Sequence, residues 1–398
     1  MKKYWFVLHQ DTFLWVKGDE GLVYGTSNKH LCYRFQNKGR IARMANELLQ
    51  PNNLYRTIVT EEDLSENEVK EWVNSILLTS CGELIDIDDS IKVPVSLKPI
   101  LKIQDTVSFY KVSHETHTDG KIIQNLLKLV IHLNGSTHGD DDIAKQIIFP
   151  QKTANKLKEW TSIRNFITSM GNPNFLVEII LVGNIWKYPD YMELLQFLQT
   201  LPVRVSVYAT EEDYRMQDCG TTCFDNVFFY ILKRDYNIPC VEKHNLFYHL
   251  IISSVDEYGR ALDITRELKP GHYKIMPVYT GDNKDFFEEF VYVTEEEIGE
   301  IQLSKREVFA RQAINIYDFG TLTVDIDGHV YGNLNRRVLG TIDDGLYLLT
   351  YRELTGGDSW LSVRNESPCC NCIYQWICPS PSNYELVIGK PNLCHIKP

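Results

Sequence analysis

The chain has 398 residues, of which 43% are hydrophobic and 24% charged, and it carries a formal net charge of −12. That length suits two or three domains, each able to bury a core, in an ordinary globular composition. The acidic balance argues against a nucleic-acid binder, which needs a local excess of Lys and Arg to meet phosphate.

At the N-terminus the apolar run of MKKYWFVLHQDTFLWV is cut by His9, Gln10 and Asp11, so it is neither a signal peptide nor a spanning helix. The other apolar runs are strand-sized, and no membrane association is expected. A cytoplasmic location follows, and in a reducing compartment the ten cysteines read as thiols or metal ligands rather than disulfides. TFLWV and GLVYG flank a turn at Lys17-Gly18-Asp19-Glu20, a hairpin signature, and HLCYRF supplies a third strand. A helix follows, with Ile41, Met44, Ala45, Leu48 and Leu49 on one face. After a break at Pro51-Asn52-Asn53, Ser65 and Glu68 form a capping box. A second stripe comes next, Val69, Trp72, Val73, Ile76 and Leu77, and Gly82 closes that helix. Three strands followed by helices read as a winged-helix domain over residues 1–92. DNA binding, the usual task of that fold, is opposed by Glu66, Glu68 and Glu71 beside a single Lys70 on its last helix.

From residue 93 to 312 strands and helices alternate. LLKLVIHL, FLVEIILV, VRVSVYA, FYHLIIS and HYKIMPVY are short, mostly apolar runs of the kind buried on both faces of a parallel sheet. The clearest helix between them is PDYMELLQFLQTL, with Asp190 as N-cap and Tyr191, Leu194, Leu195 and Leu198 on one face. The expected fold class is α/β, with βα repeats forming an open or partial TIM-like barrel.

The tail, residues 313–398, holds the most specific pattern. Cys369, Cys372, Cys378 and Cys394 stand as C-x2-C-x5-C with one later cysteine, a set of four thiolates that suits an iron–sulfur cluster or zinc. Cys370 is adjacent but out of spacing and reads as a free thiol. Other constellations are weaker. His114-Glu115-Thr116-His117 does not bring both histidines onto one helical face. Cys219 and Cys223 lack a third thiol, since Asn226 stands in its place. His132, His138, Asp140, Asp141 and Asp142 read as an acidic solvated loop rather than a metal site.

With the strand–helix alternation before it, the cysteine set resembles the SPASM extension of radical S-adenosylmethionine enzymes. In that family a partial βα barrel carries the radical chemistry, and the extension holds auxiliary iron–sulfur clusters. The run GTLTVDIDGHVYGN, leading into VLGTI, looks like the family's approach to the cluster region. The N-terminal elements resemble the recognition domain that binds leader peptides of ribosomally made, modified natural products. That domain adds the leader as a strand beside its third strand, against its third helix. The resemblance implies a peptide groove at Leu31, Cys32, Tyr33 and Arg34 with Val69, Trp72 and Val73, most of the helical stripe being core.

The departures from the family matter as much. Its catalytic cluster needs three thiolates, C-x3-C-x2-C, after the first barrel strand, and here no cysteine lies between Cys81 and Cys219. Where the family places Gly-Gly-Glu-Pro the chain reads Val182-Gly183-Asn184-Ile185, so Asn184 replaces the carboxylate that holds the ligand's ammonium group. Asn333 and Ser382 stand where one auxiliary cluster would have cysteines, while the four retained cysteines match the set of the other. The chain is thus similar to the pseudo-radical S-adenosylmethionine proteins encoded beside active peptide maturases. The resemblance implies one 4Fe–4S cluster on Cys369, Cys372, Cys378 and Cys394, with zinc as the alternative, and no functional S-adenosylmethionine site. It also implies a non-catalytic accessory protein that binds a precursor peptide and assists a separate radical S-adenosylmethionine maturase. The alternative is an enzyme or electron-transfer protein using its single auxiliary cluster. On the same reading the fragment 1–92 binds the leader by itself.

Overall fold

The computed structural model describes residues 2–26, 31–87, 92–100, 122–153, 158–171, 173–216, 227–237, 240 and 245–397. His114-Glu115-Thr116-His117, Cys219, Cys223 and Asn226 lie outside the described residues.

The N-terminal region runs β1 (Lys3–Leu8), β2 (Thr12–Lys17), β3 (Glu20–Gly25), β4 (Leu31–Gln36), α1 (Gly39–Leu49), β5 (Arg56–Thr60), α2 (Asn67–Leu78) and β6 (Gly82–Asp86). It holds two antiparallel sheets, ordered β2-β3-β4 and β5-β1-β6. The β2–β3 turn falls where expected, with Lys17 opposite Glu20 and Gly18 at φ 55°, a conformation glycine enters without cost. The second sheet was not expected. RTIVT and GELID are short and half polar, so neither presents an apolar run of the kind that marks a strand. Ile41, Met44, Ala45 and Leu48 of α1 and Val69, Trp72, Val73 and Ile76 of α2 are buried, as their spacing predicts. They pack with Phe6, Leu8, Leu14, Val23 and Phe35. The Trp72 ring lies 5.5 Å from Phe6 and 5.4 Å from Phe35.

Three helix-end expectations are corrected. Ser65 does not cap α2, because its Oγ donates to the Glu62 carbonyl at 2.6 Å in a preceding tight turn, and Glu66 occupies the N-cap with no side-chain bond. Gly82 begins β6, and the reversal after α2 falls on Ser80 at φ 58°. Asp190 precedes its helix in the left-handed region and makes no capping bond.

The middle of the chain is a mixed α/β layer. It contains β7 (Lys128–Gly135), α3 (Asp141–Ala144), α4 (Trp160–Thr168), β8 (Glu178–Gly183), α5 (Tyr191–Gln199), β9 (Arg204–Thr210), α6 (Glu211–Arg215), β10 (Val227–Lys233), β11 (Leu246–Ile252), α7 (Val255–Thr265) and β12 (Tyr273–Pro277). Helices α8 (Lys284–Phe290), α9 (Glu295–Glu300) and α10 (Lys305–Ala313) lead to β13 (Thr321–Val324), β14 (His329–Tyr331), β15 (Gly340–Thr341), α11 (Leu346–Gly356) and α12 (Asn383–Ile388). One nine-stranded sheet has the order β12-β11-β10-β9-β8-β7-β13-β14-β15. Strands β7 to β12 are parallel neighbours in chain order, and β13 adds in parallel to the other side of β7. Sequential parallel strands joined by helices have the connectivity that a partial βα barrel requires. The five apolar runs all fall on strands, and β10, VFFYILK, is a sixth with the same signature. The sheet crosses residue 312, because β13, β14 and β15 from the tail extend it. No helix among the described residues is long and apolar enough to cross a membrane.

Alternation along the strands sends two sets of side chains to opposite faces. Leu129, Ile131, Leu181, Val207, Ile231 and Leu250 join the larger core with Ile163, Leu194 and Leu349 of the helices. Val130, Val182, Tyr208 and Leu232 face the other way, against Ile143, Ile147 and Phe149.

Much of the outer face of the β2-β3-β4 sheet is covered. Phe13, Leu22 and Tyr24 pack against Ile298, Leu303 and Val308 and against Ile373, Tyr374 and Ile377 of the tail. The Tyr24 hydroxyl donates to the Ile301 carbonyl and accepts from the Leu303 amide, each at 2.7 Å. Residues 1–92 are thus packed against the tail, and cutting there would bare Phe13, Leu22 and Tyr24, which are 4%, 0% and 0% exposed in the whole chain.

Candidate metal centre and strand-end site

Cys369, Cys372, Cys378 and Cys394, none in a disulfide, line one cavity of about 500 Å³ with Ile147, Met276, Val293 and Ile298. Local backbone geometry presents them. Cys369 opens a tight turn in which the Cys372 amide donates to the Cys369 carbonyl at 3.1 Å, and the Cys378 amide donates to the Tyr374 carbonyl at 2.9 Å. Cys394 is fixed by a bridge to Val293, in which Val293 N donates to Leu393 O and His395 N to Val293 O, each at 3.0 Å.

Arg364 ties these segments together. Its guanidinium pairs with Glu385 at 2.8 Å and donates to the Pro379 and Pro391 carbonyls and, at 3.5 Å, to the Cys369 sulfur. Asn392 Nδ2 donates to the Cys394 sulfur at 3.3 Å. Donors of this kind tune thiolate ligands from the outer shell of a metal site. Burial pushes the Cys378 thiol up to about 12 and raises Cys369 and Cys372 as well. Bare thiolates are therefore disfavoured here, and a bound cation is what reverses that preference. Among the described residues no three of these sulfurs lie within 4.8 Å of one another. Four thiolates around one cavity suit either zinc or an iron–sulfur cluster. The group that does gather within 4.8 Å is Asp325, Asp327 and His329 on the β13–β14 turn. Spacing alone had not singled it out.

At the C-terminal ends of β7, β8 and β9 a polar network closes on itself. Asn184 Nδ2 donates to Asp213 Oδ1 at 2.6 Å, while Ser136 Oγ and Thr210 Oγ1 donate to Asp213 Oδ2 at 2.5 and 2.9 Å. Asn134 Nδ2 donates to the Asn184 carbonyl at 2.7 Å. Asn184, Asp213, Ser136 and Thr210 are all buried. Gly183, at φ 124°, lets the chain pass where a Cβ would come 2.9 Å from Asn134 Oδ1. Asn184 thus serves as a donor to a buried carboxylate, and Asp213 is the partner that the sequence did not reveal. The loop after β7 is likewise used up by structure, since Asp140 caps α3 and Asp141 accepts from Lys152 N at 3.0 Å.

The two positions where the resemblance implies lost cysteines are also filled. Asn333 Nδ2 donates to both Asp318 oxygens at 3.0 Å and to Asn383 Oδ1 at 2.6 Å, and Ser382 caps α12 with Glu385. Burial pushes the Asp318 carboxyl up to about 6. Burial also pushes His132, at the β7 end, down to about 3. The two act oppositely on stability. The unfolded chain binds a proton on His132 that the folded chain refuses, so stability is lost as pH falls below the ordinary imidazole range; Asp318 favours the protonated fold and regains some in acid. The larger His132 displacement decides the sign. Urea unfolding is expected to show stability falling below about pH 6, with a flatter slope in His132→Leu. An unchanged slope in that variant would contradict the assignment.

The expected peptide groove is only partly at the surface. β4 pairs with β3 on one edge, and among the described residues no strand pairs with the other. Leu31 and Tyr33 face the α1–α2 core, while Cys32 packs toward the tail. Arg34 bridges Glu20 and Glu295. Val69, Trp72 and Val73, at 1%, 0% and 0% exposure, form the floor beneath the sheet and offer no surface. A helical stripe that packs on its own sheet cannot also face outward.

The sequence matches no family model and no curated protein. Among solved structures the chain is similar to SuiB of Streptococcus suis bound to precursor peptide SuiA, with a TM-score of 0.45 and 11% identity over 100% of this chain and 99% of that one. SuiB bound to S-adenosylmethionine aligns with a TM-score of 0.41 and 10% identity over 97% of each chain. Similarity of this degree is too slight to carry residue roles from one chain to the other.

Proposed function

We propose that this protein is a non-catalytic accessory factor that binds a ribosomal precursor peptide and assists a separate radical S-adenosylmethionine maturase. The observation that supports this reading is a contrast within one chain: the tail keeps four thiols around a cavity, while Asn184, which stands where the resemblance implies a ligand-binding carboxylate, donates instead to the buried carboxylate of Asp213. Cys369, Cys372, Cys378 and Cys394 would hold one 4Fe–4S cluster. With all four ligands supplied by protein such a cluster has no open iron, so it supplies structure or electron transfer rather than cleavage of a bound ligand. The absence of thiols between Cys81 and Cys219 leaves the partial barrel without the cluster that starts radical chemistry.

The leader peptide would add as a strand along the free edge of β4, over residues 31–36. Main-chain hydrogen bonds supply register there, and neighbouring side chains such as Tyr33 supply choice of sequence. A bound leader raises the effective concentration of its core segment at a tethered maturase.

The test uses full-length protein and candidate leader peptides from adjacent reading frames, read by fluorescence anisotropy. Proline placed in the segment opposite β4 is expected to weaken binding by about tenfold or more, because it cannot donate to a ladder. A leader that binds with no sensitivity to proline would place the site elsewhere.

A further inference from the structure

The five residues between the second and third cysteines, Ile373-Tyr374-Gln375-Trp376-Ile377, are also the cover of the N-terminal sheet. Ile373, Tyr374 and Ile377 are 4%, 4% and 0% exposed, in the same cluster as Phe13, Leu22 and Tyr24 of β2 and β3. Polar contacts continue the connection to β4. The Tyr374 hydroxyl donates to Glu295 Oε1 at 2.6 Å, and Arg34 Nη1 of β4 donates to the same oxygen at 2.6 Å. Lys17 Nζ of β2 donates to the Cys370 carbonyl at 2.8 Å. Arg311 holds the loop from the other side through the Ile377 carbonyl.

We infer that metal loading of the tail governs the ordering of the β2-β3-β4 sheet, and so its readiness to receive a peptide strand, with residues 373–377 as the coupling element. The inference rests on the proposed function, in which the cysteines bind metal and β4 takes the leader. A metal held by Cys372 and Cys378 fixes both ends of the loop and removes the freedom it has when the thiols are unligated. A loop fixed in place keeps Phe13, Leu22 and Tyr24 covered and keeps Glu295 within reach of Arg34. Linkage makes the effect reciprocal: whatever metal does for peptide affinity, peptide does for metal affinity. Glu295 and Tyr374 are positioning residues here, since neither is a thiol ligand and neither lies on β4.

The experiment compares full-length protein reconstituted anaerobically with iron and sulfide, the same protein loaded with zinc, and protein stripped by a chelator. Metal content is measured first, then amide hydrogen exchange. Loading is expected to slow exchange at residues 31–36 by about tenfold or more, and to slow β1, β5 and β6 less, because among the described residues none of theirs joins the cluster around Ile373, Tyr374 and Ile377. Glu295→Gln, a mild change at a half-exposed position, and Ile377→Ala should both still load metal and lose most of the selective slowing. Metal uptake with unchanged exchange at 31–36, or with equal slowing in both sheets, overturns the coupling and leaves the metal reading standing. Failure to take up either metal overturns the metal reading and the coupling with it.

Discussion

Replacing Asn184 with Glu is expected to lower the unfolding free energy by roughly 3–5 kcal/mol, the range for an uncompensated buried charge, and to create no S-adenosylmethionine binding. Asn184 is 5% exposed and Asp213 2%, and the amide donates to that carboxylate at 2.6 Å. The substitution removes the donor and sets two carboxylates against each other in a site with little water. One of them must take up a proton or the network must open. The double variant with Asp213→Asn should recover part of the loss, because it restores a donor facing an acceptor. A neutral Asn184→Glu, or one that gains ligand affinity, would mean that the strand ends are a vacant cofactor site and not a closed network.

Cys378→Ser should reduce metal content well below one site per chain and lower the unfolding temperature by several degrees, at roughly 2–4 °C per kcal/mol for a domain of this size. Cys378 is the thiol that burial raises furthest, to about 12, so it gains most from a bound cation. Binding of a structural metal is coupled to folding, with about 10–16 kcal/mol of apparent binding energy for zinc in zinc-finger peptides at pH 7, and a hydroxyl is a poor substitute for a thiolate ligand. Cys370→Ser is the matched control. Cys370 neighbours the set in sequence but does not line the cavity, and its replacement should leave metal content unchanged. Equal losses in the two variants would detach the spacing from the chemistry.

How far the fold was legible follows from what each signal depends on. The parallel strands were visible because both faces of β7, β8, β9 and β11 are covered, which makes their apolar runs nearly continuous, while the edge strand β12 keeps an apolar run with Lys274 exposed. β1, β5 and β6 pair in a small antiparallel sheet; β1 is an apolar run without a visible partner in its own window, and β5 and β6 carry mixed side chains that no periodicity exposed. The stripes of α1 and α2 appeared at their spacing, yet the helix ends did not. Whether Ser65 caps α2 or bonds Glu62 is decided by one backbone turn, not by residue type. The cysteine set was legible because ligand spacing is local. Arg364 and Glu385, 21 residues apart, and the Asn184–Asp213 bond across 29 residues depend on chain crossings that no window contains. The double role of residues 373–377 was hidden for the same reason, since the strands they cover lie at the opposite end of the chain.

The most direct test of the central claim is to incubate anaerobically purified, metal-loaded protein with S-adenosylmethionine and a strong reductant, and to quantify 5′-deoxyadenosine. The expected result is none above the protein-free background, in the absence and in the presence of a bound leader peptide. Reproducible 5′-deoxyadenosine from the pure chain, lost on Cys378→Ser, would contradict a non-catalytic role and make this protein an enzyme.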